Sequence, residues 1–390
     1  MIDWAELERR NAPLNAFVDW DRDAAPGEGP LADLLIGVKS NIAVRGLPHT
    51  AGMALRRGIV APRDAAVVAR LRAAGAAIPG TLNMHEAALG ATTDNLWFGR
   101  THNPHRIGHT PGGSSGGSGA AVAAGLCDAA LGTDTLGSVR IPAAYNGVYG
   151  LKPTLGAVDG DGLVFLDRRF DCIGPLARSL DVLERVWRVI GRDAEGPEFA
   201  RLLLLDGLDE AALQPAIAAA YRRALDATAL PSDRLALPDL TAIRLAALAD
   251  IARALVTDLG EDRAARADLI SPELTFVVGA LETLPTDPPL LDAVRAMVRD
   301  ALREDGVLLL PTSPQAAFPH GTIPPATQAD FTAIASVAGL PALACPAGRD
   351  ADGLPVGIQL VGPAGSERRL IDLARRLEPA LGGAVLPEGA

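Results

Sequence analysis

The sequence is poor in cysteine, histidine and aromatic residues: three Cys, six His and 4% Phe, Trp and Tyr in 390 residues. Cys127, Cys172 and Cys345 lie far apart and form no CxxC pair. That spacing argues against a zinc finger or a disulfide-stapled scaffold and fits a reducing compartment. Positive charge is in deficit too, with 36 basic against 47 acidic residues and a formal charge of −11. Nucleic acid and membrane surfaces are therefore not expected as partners. No run of 18 apolar residues occurs, and the acidic start Met1-Ile2-Asp3-Trp4-Ala5-Glu6 does not resemble a secretory signal. The protein is expected in the cytoplasm. Neither GxxxxGK[ST] nor GxGxxG is present, so no nucleotide fingerprint is found.

What is present is a chain with 48% hydrophobic residues, 41 Gly and 30 Pro, enough for a large core with many tight connections. Leu34 to Val38 is a short apolar run that predicts a buried strand delivering Lys39 at its end. Asp64 is expected to cap a helix carrying Val67, Val68 and Leu71 and closed by Gly75. From 195 to 300 the Ala/Leu/Arg-rich pattern predicts long amphipathic helices, including 211–225 and 245–258. Apolar runs resume at Val307–Leu310, Leu340–Ala344 and Val356–Val361, followed by a helix after Ser366. Strands at both ends with helices between them predict one domain, 1–390, with 195–300 as a helical cap inserted in it.

The densest punctuation is PGGSSGGSGAAVAAG at 111–125. Glycines permit close backbone approach to a ligand, and the Ala-rich continuation reads as a helix rather than a linker. Gly112 to Gly116 match GxSxG, but a nucleophile elbow needs an apolar strand before it, and Arg106 to Pro111 is poor strand material. Downstream, an apolar strand start at Ala129 leads to Ser138, with Pro142 suited to the first turn of a helix. Ser138 at that point reads either as a nucleophile beside unpaired helix N–H groups or as an ordinary N-cap.

Taken together, GVKSNI (37–42), PGGSSGGSGAAVAAG (111–125), GTDTLGSVRIPA (132–143) and YGLKPT (149–154) resemble the amidase signature family of hydrolases. The resemblance extends over roughly 31–185 and 305–378. It implies an α/β fold with a mixed, mostly parallel central sheet covered by helices on both faces. It implies a Ser–Ser–Lys arrangement in which Ser138 is the nucleophile, Ser114 the bridging serine after a cis peptide from Gly113, and Lys39 the base. Backbone N–H groups of Thr135, Leu136, Gly137 and Ser138 are the expected oxyanion donors, with Gly113, Asp134 and Arg140 as support. Lysine is a base only when neutral, about one molecule in 2500 at pH 7 for an ordinary side chain, so burial of Lys39 must lower its pKa.

The expected reaction is hydrolysis of a small carboxamide through a seryl acyl-enzyme, without metal or cofactor. A small-molecule amide is the expected partner, without nucleic acid or membrane, and with a homodimer left open. Two alternatives stand beside it: the glutaminase subunit of a tRNA-dependent amidotransferase, and a catalytically inactive binding relative. Three departures from the family pattern are visible: Leu136 in place of Gly, Ser40 in place of Asp, and Ser336-Val337-Ala338 where an Asn is usual. Leu136 is expected to narrow the site toward compact amides. His102, His105 and His109 form HxxHxxxH, but Pro104 breaks the helix such a metal set needs.

Overall fold

The computed structural model describes residues 2–192, 196–208 and 212–388. Its strands are β1 (Phe17–Trp20), β2 (Ile36–Lys39), β3 (Gly80–Leu82), β4 (Asp94–Asn95), β5 (Gly99–Arg100), β6 (Ala129–Asp134), β7 (Tyr149–Lys152), β8 (Cys172–Ala177), β9 (Arg201–Leu205), β10 (Ser232–Leu235), β11 (Gly306–Pro311), β12 (Ala342–Arg349) and β13 (Pro355–Val361). Its helices are α1 (Trp4–Asn11), α2 (Ala66–Ala73), α3 (Gly116–Ala123), α4 (Arg140–Asn146), α5 (Leu180–Ile190), α6 (Pro215–Thr228), α7 (Leu240–Leu259), α8 (Asp262–Ala265), α9 (Pro272–Glu282), α10 (Pro288–Leu302), α11 (Asp330–Ala338) and α12 (Glu367–Leu381).

Eleven strands join one sheet in the order β1-β3-β2-β6-β8-β7-β12-β13-β11-β9-β10. The α/β class and the mixed sheet are those expected. Parallel pairing occupies two flanking groups, β3-β2-β6 and β11-β9-β10. The five pairs between those groups, and the edge pair β1-β3, are antiparallel.

Alternation along β6 divides the core. Ala130 belongs to a cluster with Ala120 to Ala123 of α3, whereas Ala129 and Leu131 join Leu183, Val186 and Trp187 of α5. Helices therefore cover both faces. The α5 helix shows why: Ser179 caps it by accepting from Val182 N–H at 3.2 Å, and Leu180, Leu183, Val186, Trp187 and Ile190 recur at helical spacing on its buried side. Burying each such side chain is worth about 1.5–3 kcal/mol.

Two local expectations need correction. Asp64 does not cap α2: Ala65 flanks that helix, and Asp64 Oδ1 accepts from Arg45 N–H at 2.8 Å. The 195–300 stretch is not wholly helical, because β9 and β10 extend the sheet beyond β11. The leucine run of β9 carries no period that separates a buried strand from a buried helix. Residue 195 and Ala211 lie outside the described residues, and the helix observed in that region is α6. Among the described residues no helix is long and apolar enough to cross a membrane.

The start of α3 presses against the β3 end. A Cβ on Gly117 would sit 2.4 Å from the Asn83 carbonyl oxygen and 2.7 Å from that of Ala16, both backbone. Gly279 in α9 has open space around it. Gly117→Ala is expected to lower the melting temperature by several degrees, and Gly279→Ala to raise it slightly, as a helical Ala gains up to ~1 kcal/mol over Gly. Thermal unfolding of both variants checks the contrast.

Candidate active site

All four residues of β2 are buried, and Lys39 is its last. Lys39 Nζ donates to Ser114 Oγ at 2.7 Å and to Thr133 Oγ1 at 2.7 Å. Among the described residues no carboxylate lies within ion-pair distance of it. The side chain is wholly buried, and burial lowers its pKa from 10.5 to about 7 against the opposing charges of Asp171 and Asp134.

Ser114 sits on the glycine-rich loop just before α3, and the Gly113–Ser114 peptide is cis. The loop is pinned on both sides. Ser115 Oγ donates to the Thr133 carbonyl at 3.1 Å and accepts from Thr133 N–H at 3.2 Å, tying it to β6. Thr93 Oγ1 accepts from Gly116 N–H at 3.0 Å and donates to the Gly112 carbonyl at 2.8 Å. A Cβ on Gly116 would stand 2.3 Å from that hydroxyl, which is why the position needs glycine.

Ser138 lies between β6 and α4 and lines an apolar-walled pocket beside Gly113. Its Oγ has no hydrogen-bond partner among the described residues. Backbone N–H groups of Thr135, Leu136 and Ser138 are likewise uncommitted there. Gly137 is not: its N–H donates to Asp134 Oδ1 at 2.7 Å, which removes it from the expected oxyanion donors. Gly137 has another task. It holds φ +137°, and a Cβ there would lie 2.4 Å from Thr332 Oγ1. The positive φ falls on Gly137 and not on Leu136, so the Leu in place of Gly is accommodated without backbone strain.

Asp134 and Arg140 form a fully buried pair at 2.9 Å. Asp134 Oδ2 also accepts from Val139 N–H at 3.1 Å. Burial pushes its carboxyl up, but the Arg140 charge and hydrogen bonds hold it below the ordinary value. All five Arg140 donor bonds are made: two to Asp134, and one each to the Thr332 carbonyl, Gln359 Oε1 and Ser336 Oγ. Asp134 and Arg140 are thus joined beside Ser138, and Ser336 Oγ accepts from Arg140 at 2.9 Å.

The pocket has a volume of about 270 Å3. Leu89, Leu136, Ile141, Leu166, Leu248, Ile251, Val277 and Leu281 give it an apolar wall, with His85, Arg244, Glu273 and Gln328 as polar groups. His85 is buried and pushed down to about 4 by desolvation, so it is neutral at pH 7. Arg244 Nε donates to Asp330 Oδ1 at 2.5 Å. His105, one of the three spaced histidines, bonds the Asn146 carbonyl at 3.0 Å. Among the described residues no three His, Cys, Asp or Glu side chains converge to hold a metal.

Sequence reasoning missed Thr133 and Asp171. Thr133 is a hydroxyl that follows the apolar run Ala129 to Gly132 in a buried strand, which was a usable signal. Asp171 precedes β8 and meets the site only through the sheet, with Thr135 Oγ1 donating to its Oδ1 at 2.5 Å.

A desolvated lysine bonded to one serine, with a second, unbonded serine in a pocket beside free N–H groups, is equipment for serine-based amide cleavage. The family model described as Amidase matches residues 11–213 and 289–371, and the chain belongs to that family. It is an amide C–N hydrolase. A glutamyl-tRNA(Gln) amidotransferase subunit from Synechococcus sp. (strain RCC307) is 36% identical over 93% of this chain and 86% of its own length. The protein of that name from Haloarcula marismortui is 36% identical over 92% of this chain and 97% of its own. Among solved structures, the inhibitor-bound complex from a study of a vestigial protein complex and the origins of an s-triazine catabolic enzyme superposes with TM-score 0.90. It is 29% identical and covers 98% of this chain and 94% of that one. Peptide amidase from Stenotrophomonas maltophilia gives TM-score 0.80 at 27% identity, covering 98% of this chain and 94% of that one.

These relatives overturn one expectation. A partner list restricted to a small amide, without nucleic acid and with at most a second copy, does not hold. The relatives are by name subunits of an amidotransferase for glutamyl-tRNA, and the TM-score 0.90 neighbour comes from a protein complex. Net negative charge misled, because it describes the whole surface and not a local contact face.

Lys39 makes a prediction that needs no substrate. The fall from 10.5 to about 7 means the unfolded chain holds this proton more tightly than the folded one. Wild type therefore bears a penalty of roughly 5 kcal/mol at and below pH 7, relieved as pH rises toward 10.5. Lys39→Met is expected to be inactive yet more stable than wild type at pH 7, with the gap closing by pH 10. Denaturant unfolding at both pH values checks it.

Proposed function

We propose that this chain is the amide-cleaving subunit of an amidotransferase-type assembly, releasing ammonia from the side-chain amide of glutamine. Ser138 Oγ attacks the carboxamide carbon while its proton passes to Ser114 Oγ, and the Ser114 proton passes to neutral Lys39. The oxyanion forms against the N–H groups of Thr135, Leu136 and Ser138. Lys39 then returns its proton through Ser114 to the departing nitrogen, ammonia leaves, and an ester on Ser138 remains. Water attacks that ester by the same relay in reverse, and the carboxylate product is released.

The observation that carries the chemistry is the 2.7 Å bond between buried Lys39 and Ser114, whose neighbour Gly113 lines the pocket together with Ser138. Glutamine as substrate is supported by the names of the relatives and by two charged groups in the pocket. Arg244 has donors beyond the one given to Asp330, suited to an α-carboxylate, and Glu273 is suited to an α-ammonium. One domain with α7 and α9 as its cap fits the way both helices line the pocket. Three free buried cysteines fit a cytoplasmic setting.

The apolar wall favours a second reading, a hydrolase of compact carboxamides with an apolar acyl group. Ammonia release from glutamine and from phenylacetamide separates the two. Higher kcat/KM on glutamine supports the subunit reading, and at least tenfold preference for phenylacetamide overturns it. In either case Ser138→Ala is expected to lose about a thousandfold or more in kcat. A variant near wild-type rate would remove Ser138 from its role. Leu136→Gly is expected to widen acceptance toward bulkier acyl groups, and an unchanged ranking of acyl sizes contradicts that.

A further inference from the structure

Asp171 is a buried carboxylate without a cationic partner within ion-pair distance among the described residues. Its Oδ1 accepts from Thr135 Oγ1 at 2.5 Å, and its Oδ2 accepts from Leu166 N–H at 2.6 Å and Asp167 N–H at 3.1 Å. Thr135 and Leu166 both line the pocket, so one carboxylate ties the oxyanion loop to a piece of the substrate wall. The same carboxylate acts electrostatically on Lys39, which has no ion pair of its own.

We propose that Asp171 is a positioning residue for amide cleavage: it holds the Thr135 backbone at the oxyanion, and its negative charge steadies the proton that Lys39 takes up during acylation. This rests on Lys39 being the base.

The other groups around this pair are already committed. Asp134 is neutralised by Arg140, and Asp167 by Arg169. Lys152 Nζ donates to the Pro153 and Leu340 carbonyls. His85 is neutral at pH 7, and burial pushes the Cys172 thiol up. Asp171 is thus the carboxylate near Lys39 whose charge is not spent on a cation of its own. Burial pushes its carboxyl up to about 6, with bonds from Thr135, Leu166 and Asp167 pulling back, so it is ionised when Lys39 begins to lose its proton near 7.

The sign follows. An anion beside Lys39 favours the ammonium, so removing the charge lets Lys39 become neutral at lower pH. The acid limb of reactivity moves down. The high-pH plateau falls as well, because the ammonium formed in acylation loses its counter-charge.

The test is the rate at which a small alkyl fluorophosphonate labels Ser138 in the full chain between pH 5 and 9. Asp171→Asn is expected to move the acid limb down by on the order of one pH unit and to lower the plateau several-fold. A role in folding alone would lower the labelled fraction without moving the limb. Thr135→Val breaks the hydroxyl bond and keeps the charge. It is expected to slow labelling about tenfold with the limb in place, and Thr135→Ser to restore the rate. An unmoved limb in folded Asp171→Asn, or wild-type labelling by Thr135→Val, overturns the proposal. If Asp171→Asn does not fold, the Thr135 pair decides alone. Wild type that is not labelled at Ser138 at all would instead fail the catalytic reading, which keeps the two failures apart.

Discussion

A lysine side chain that is wholly buried, and that meets two hydroxyls where an ion pair would be ordinary, is the constraint from which the site follows. Lys39 Nζ gives its bonds to Ser114 and Thr133, and these are the groups that fix the glycine-rich loop and β6 relative to β2. An ion pair there would have stabilised the ammonium and removed the basis for the proposed role as a base. The distant carboxylates Asp134 and Asp171 oppose the desolvation only in part. The same balance explains the density of polar support around it. The Asp134–Arg140 pair, with every guanidinium donor satisfied, holds the 134–140 turn in a dry interior where loss of one partner costs about 3–5 kcal/mol.

Much of this was legible in the sequence because the family motifs place each residue at a fixed point of a loop or strand end. The structure joins Lys39 to Ser114 and Asp134 to Arg140, and sets Ser138 between β6 and α4. What the sequence could not show were contacts made between segments. Gly137 N–H turns back to Asp134, so one expected oxyanion donor is spent, and Asp171 reaches Thr135 across the β6–β8 pair. The fold was read well where strands alternate with glycine-punctuated turns, and poorly at β9, where an unbroken run of leucine has no period. One compositional signal went unread: the chain has two lysines, Lys39 and Lys152, and both are fully buried. Arginine carries all the basic charge at the surface.

The pocket joins two kinds of sequence. Lys39, Ser114, Thr133, Ser138 and Asp171 fall in the segments matched by the family model, whereas residues 214–288 are not matched. That unmatched stretch contains α7 and α9, which supply Arg244, Leu248, Ile251, Glu273, Val277 and Leu281 to the wall. The unmatched helices thus supply part of the pocket wall, beside Leu89, Leu136, Ile141 and Leu166 from the matched segments.

With two lysines in the chain, the protonation of Lys39 is open to direct observation. Protein labelled with 15N at lysine Nζ gives two side-chain signals, and Lys39→Met assigns them. The account predicts that the Lys39 signal titrates near pH 7, more than three pH units below an ordinary lysine. A Lys39 signal that remains that of an ammonium up to pH 10 would contradict it.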